Sequence, residues 1–97
     1  IAVTAVDGEQ TIYRWANQGD YIDFAAEGVS VMTSRSNGGY GIESGTSMAA
    51  PVVTAAIACE QFNRDLTIAE LLSVLTSKVI DLGDKGHDPV FGHGLIQ

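Results

Sequence analysis

Ninety-seven residues make at most one small domain or a piece of a larger one, and 45% hydrophobic residues is ordinary for a globular chain. Twelve acidic residues against five basic ones give a net charge of −7, which repels phosphate backbones and anionic lipid surfaces and argues against nucleic acid and membrane as partners. The single cysteine, Cys59, cannot form an intramolecular disulfide, and its apolar surroundings in sequence predict a small buried hydrophobe. No stretch reaches transmembrane length. The chain opens in a strand-like run without an initiating Met, so it reads as a segment that begins inside a fold.

Ile1 to Val6 is short, β-branched and mostly apolar, and Asp7-Gly8 ends it, which predicts a buried strand and a turn. Residues 9–20 are polar and read as a loop, with Tyr13 and Trp15 expected as packing residues. Tyr21 to Phe24 and Val29 to Thr33 alternate weakly on either side of Gly28, predicting two short strands. Ser34 to Gly41 (SRSNGGYG) predicts a turn, and without a following Gly-Lys-Ser/Thr it is not a phosphate loop.

The period then changes. Ser47 to Phe62 predicts a helix that is apolar nearly all round, with Pro51 in its first turn. Such a helix needs apolar neighbours on several sides, more than this chain supplies. Thr67 and Glu70 form a capping box, Ile68, Leu71, Leu72, Leu75 and Val79 follow at helical spacing until Gly83, and Leu71, Leu72 and Leu75 are the core stripe. A polar loop from Asp84 to Gly94 leads into Leu95-Ile96. Around its start, Asp81, Asp84 and Asp88 cluster with Gly83, Gly86 and His87 in the manner of a Ca²⁺ or transition-metal loop. The spacing does not match the alternating acidic pattern, so the cluster reads as a solvated turn and no metal is assigned. Strands first and a buried helix next indicate an α/β layered fold.

The junction Gly45-Thr46-Ser47-Met48-Ala49-Ala50-Pro51 carries the chemistry. A hydroxyl at a helix N-terminus sits in a positive backbone field of roughly half a charge. First-turn N–H groups lack helical partners and can face a developing oxyanion. Gly45 allows close approach of a substrate, and Ala49 and Ala50 keep the turn uncrowded. A serine here is placed to attack a carbonyl once a base takes its proton, although serine is also a frequent helix N-cap.

The heptapeptide resembles the nucleophile signature of the subtilase family. So, in order, do Ile1 to Asp7, the Trp15-Ala-Asn-Gln-Gly19 and Ile22 to Gly28 stretches, and the closing Phe91-Gly-His-Gly-Leu-Ile96 run. The resemblance implies that Ser47 is the catalytic nucleophile, that its N–H is an oxyanion donor and that Thr46 assists through its hydroxyl. It also implies that Met48 lines the leaving-group side, and that Ser44 and Gly45 help shape the substrate cleft. Glu27 stands where the family usually has Pro, and Ser44 where Asn is common, which bears on loop geometry. The family's chain order is Asp, His, Ser, with an Asn oxyanion donor between His and Ser, so these partners are expected upstream of Ile1. His87 and His93 follow Ser47 and read as loop residues.

The implied fold is the C-terminal portion of a subtilase-type α/β domain, residues 1–97, with a mostly parallel sheet and a buried central helix starting at the nucleophile. The implied activity is serine endopeptidase hydrolysis through an acyl-enzyme in the parent, the isolated chain being inactive. A polypeptide substrate and the upstream part of the same domain are the implied partners, with self-association expected of the isolated piece. No cofactor is implied in this segment, which leaves room for structural calcium in the parent, and family habit favours secretion. Two rivals remain: a non-enzymatic, self-associating module, and an α/β-hydrolase. The latter needs Gly-x-Ser-x-Gly, where Ala49 fills the last position.

Overall fold

The computed structural model describes every residue from Ile1 to Gln97. Strand β1 (Val3–Val6) pairs in parallel with β2 (Phe24–Glu27), in register from Val3 opposite Phe24 to Val6 opposite Glu27. Parallel neighbours require a long connection. Here it is fastened near its start, where Asp7 Oδ1 accepts from the N–H groups of Glu9 and Thr11, both at 2.9 Å. The Tyr13 N–H then donates to the Ala5 carbonyl at 2.8 Å. Leu95 forms a parallel bridge to Ala25, and Ile80 an antiparallel one to Leu95, so the sheet continues past β2.

The strand expected at Tyr21–Phe24 lies three residues later. Ile22 is held in a turn by its N–H to the Gly19 carbonyl (3.1 Å), so pairing with β1 begins only at Phe24. Strands β3 (Val31–Ser34) and β4 (Tyr40–Glu43) form a separate antiparallel hairpin. The sequence predicts turn through the first two residues of β4. Gly41 instead pairs with Thr33 inside the strand, and the Arg35 guanidinium, reaching Glu43, occupies the space a Cβ there would need.

Helix α1 (Thr46–Gln61) lies on β1 and β2, and helix α2 (Ile68–Lys78) packs against α1. The main core joins Ala5, Phe24 and Ala26 of the sheet to Ala49 and Val53 of α1, Leu71 and Leu75 of α2, and Ile96. Side chains alternate across a strand, so Val6 and Ala25 point to the other face and meet Leu95, Leu82 and Phe91. The capping box is present: Thr67 Oγ1 accepts from the Glu70 N–H at 3.2 Å, and Glu70 Oε2 accepts from the Thr67 N–H at 2.9 Å. Such a cap contributes about 1 kcal/mol. Glu60 adds a link between the helices, accepting from both Arg64 and Lys78.

Within this chain helix α1 buries one stripe and leaves Ala50, Pro51, Ala55 and Ala58 facing outward, as expected of an apolar helix with too few neighbours here. Two expectations change. Cys59 shares that outward face and is exposed, not buried. Pro51 is the sixth residue of α1, beyond the first turn, so the Ser47 carbonyl has no N–H to accept from four residues on. In α2, Leu71 and Leu75 are buried and Leu72 packs against them, as the stripe predicts, while Ile68 is 64% exposed.

Candidate active site

Two glycines seat the start of α1 on the end of β2. Gly45, the N-cap, has φ 152° and ψ 166°, a backbone region essentially restricted to glycine. Its N–H donates to the Gly28 carbonyl at 2.7 Å. A Cβ on Gly28 would lie 2.6 Å from the Gly45 carbonyl oxygen, 2.8 Å from Ala5 Cβ and 3.1 Å from Ala49 Cβ. Gly28 is therefore a close-approach position as well as a strand terminator. Ser44 Oγ accepts from the Ser30 N–H at 2.8 Å, tying the same two segments together.

Ser47 is the second residue of α1, behind a Gly45 cap that uses no side chain. Its exposed hydroxyl caps nothing, which removes the N-cap explanation for a serine at this position. The Met48 N–H turns back to the Gly45 carbonyl at 3.0 Å, whereas the Ser47 N–H, in the first turn, has no helical carbonyl four residues before it. No acidic side chain occupies the first turn to offset the positive end of the helix. A hydroxyl and an N–H are thus offered together, in a field that favours developing negative charge.

Ser47, Thr46 and Gly45 line a groove of about 270 Å³ and face Tyr13, Trp15, Asn17 and Tyr21 from the β1–β2 connection. Ser44 and Met48 lie outside this lining. Ser44 serves the loop contact just described, and Met48 is half-buried. Trp15 was expected to pack; it is instead 69% exposed and forms part of the groove wall, with the Arg14 guanidinium stacked 4.4 Å from its ring centre. Tyr13 does pack against the main core while also reaching the groove. An aromatic isolated in a polar loop was the available signal for Trp15.

No His, Asp, Glu or Lys lines the groove, so these walls supply no base for the Ser47 proton. His87 Nε2 lies 2.8 Å from the Ile22 carbonyl oxygen, and His93 lies against Phe24 with ring centroids 5.7 Å apart. In the acidic loop, Asp81 Oδ2 accepts from the Gly86 N–H at 2.8 Å. Asp88 Oδ1 accepts from Val90 and Phe91 at 2.7 and 2.9 Å. These carboxylates tie their own loop, and Asp88, only 4% exposed, is buried rather than solvated. No three His, Cys, Asp or Glu side chains converge as a metal-binding set.

Residues 1–94 match the subtilase family. The chain is 33% identical over 98 residues to the minor extracellular protease Epr of Bacillus subtilis, covering all of this chain and 15% of that protein. It is 32% identical over 102 residues to an intracellular serine protease of Paenibacillus polymyxa, covering 99% of this chain and 31% of the relative. The structure superimposes on the crystal structure of a lanthipeptide protease with a TM-score of 0.85 at 24% identity, over 99% of this chain and 38% of the other. That likeness shows the fold, a mixed α/β architecture with parallel pairing. The chain therefore spans less than a third of the length of the curated relatives it matches. Matched over nearly its whole length and carrying an uncapped, exposed serine at a helix start, the chain belongs to the subtilase family.

Proposed function

We propose that the full-length protein is a serine endopeptidase, that residues 1–97 are the C-terminal part of its catalytic domain, and that Ser47 is the nucleophile. The observation that carries this reading is Ser47 itself: an exposed hydroxyl, free of capping duty, at the positive end of α1 and on the wall of a groove. Its oxygen attacks the carbonyl carbon of a polypeptide while a histidine from an upstream segment takes the hydroxyl proton. The Ser47 N–H donates to the resulting oxyanion. Collapse expels the amine, which receives the proton, and leaves an acyl-enzyme on Ser47; water then releases the acid by the reverse sequence. Thr46 lends a second polar group beside the oxyanion. The relatives include proteases named both extracellular and intracellular, so the likeness assigns no compartment.

A fluorophosphonate probe, which reacts only with an activated serine, is the direct test. In the full-length protein it is expected to label Ser47 stoichiometrically, read by mass spectrometry of the digested adduct. Labelling of a different residue, or none in a protein that cleaves casein, overturns the assignment.

The isolated 97-residue chain is expected to hydrolyse no casein, because its groove holds no base. It is also expected to sediment as dimers or larger species, since Ala50, Pro51, Ala55, Ala58 and Phe62 leave an apolar helix face in water. Turnover lost on Ser47→Ala would reveal a base within these residues. A compact monomer with a dispersed NMR spectrum would show that the face needs no cover.

A further inference from the structure

We propose that His87 and His93 form a two-imidazole binding site for a divalent transition-metal ion of the zinc type. The inference does not depend on the peptidase reading, because neither histidine lines the Ser47 groove.

The rings stand edge to face, with centroids 4.8 Å apart and an interplanar angle of 69°. That separation has a meaning for metal binding. With metal–nitrogen bonds of about 2.0–2.1 Å and each ring centre about 1.2 Å behind its ligating nitrogen, two imidazoles sharing one ion at about 90–110° place their centroids roughly 4.5–5.2 Å apart. Coordination fixes the direction of each metal–nitrogen bond and not the rotation of the ring about it, so an interplanar angle of 69° is compatible with a shared ion.

Tautomer chemistry supports it. The Ile22 carbonyl oxygen, 2.8 Å from His87 Nε2, can only accept, so Nε2 is the donor in this contact, and in the neutral imidazole Nδ1 is the nitrogen left to ligate. A metal-binding imidazole commonly has its other nitrogen anchored on a carbonyl in this way, which fixes both ring orientation and ligating atom. His93 is half-buried, and its ring contacts are with Phe24 and His87, so presenting a nitrogen to the ion breaks no side-chain hydrogen bond.

The backbone holds the two rings in register. Asp88 and Gly92 exchange both N–H to carbonyl bonds, at 3.0 and 2.9 Å, and the His93 N–H donates to the Asp23 carbonyl at 2.7 Å. The intervening loop is pinned by Asp88 Oδ1 on the Val90 and Phe91 N–H groups. Little ordering remains for the ion to impose, and the net charge of −7 favours a cation's approach. No third His, Cys, Asp or Glu joins the pair, so water completes the coordination shell.

An edge-to-face pair can also be plain packing, and phenylalanine separates the two roles. The full-length protein is titrated with Zn²⁺ by calorimetry, alongside His87→Phe, His93→Phe and His93→Gln, with circular dichroism confirming the fold of each. The wild type is expected to show a saturable equivalent, accompanied by ring-nitrogen NMR shifts at His87 and His93. Every variant is expected to lose that equivalent or weaken it at least about tenfold, a loss at the low end of the 10–100-fold range known for disturbed metal sites. Unchanged Zn²⁺ affinity in both Phe variants, or the absence of His87 and His93 shifts on saturation, overturns the site.

Discussion

If the proposed assignment holds, Ser47→Ala in the full-length protein lowers kcat for a peptide substrate by on the order of 10⁶, the magnitude known for subtilisin. KM should change little, because the missing interaction exists only on the way to the transition state. Stability should also hold within about 0.5 kcal/mol, the usual range for a surface position, since the hydroxyl is exposed and caps nothing. Steady-state kinetics on a chromogenic peptide, paired with thermal melts, reads both quantities. Activity within a hundredfold of wild type would move the nucleophile elsewhere.

Gly28→Ala is expected to damage both stability and catalysis, although residue 28 lies outside the groove lining. Its new Cβ would fall 2.6 Å from the Gly45 carbonyl oxygen and 2.8 Å from Ala5 Cβ, so backbone must move. Overpacking of this kind costs about 1–3 kcal/mol. The group that must yield is the N-cap of α1, two residues before Ser47, and a shift of about 1 Å at a reacting group can cost 10²-fold in rate. Gly8→Ala is the matched control, because a Cβ there meets nothing nearer than a Glu27 carboxylate oxygen at 3.8 Å. Denaturant unfolding and kcat measured on both variants decide the matter. A Gly28→Ala enzyme as stable and as fast as Gly8→Ala would mean that the helix start is not set by this contact.

Both expectations rest on features with different histories. That a helix begins at Gly-Thr-Ser and carries a serine in its first turn was legible in the heptapeptide, and the structure shifts the boundary by a single residue, to Thr46. The entry of α2 was legible for the same reason: Thr67 and Glu70 satisfy each other's backbone across three residues, and nothing distant is needed. Gly28, by contrast, was legible only as a strand breaker. Its role depends on Gly45, Ala5 and Ala49, which lie 17, 23 and 21 positions away and meet only when β1, β2 and α1 assemble.

The same division runs through the rest of the chain. The sequence by itself determined the helix starts and the core stripe of Leu71 and Leu75. It also determined the apolar runs that become β1 and α1, because hydrogen bonding and hydrophobic period act over a few neighbouring residues. Tertiary structure alone decided that Gly41 lies inside a strand, where Arg35 and Glu43 close over it, and that Trp15 stands on the groove wall opposite Ser47. It decided that Cys59 faces outward, since α1 can bury only the side that meets the sheet and α2, and that Asp88 is buried where local polarity suggested solvent. It also brought the rings of His87 and His93 to 4.8 Å. A side chain's exposure and its neighbours are properties of which distant surfaces come to cover it, and no local period or turn signal carries that information.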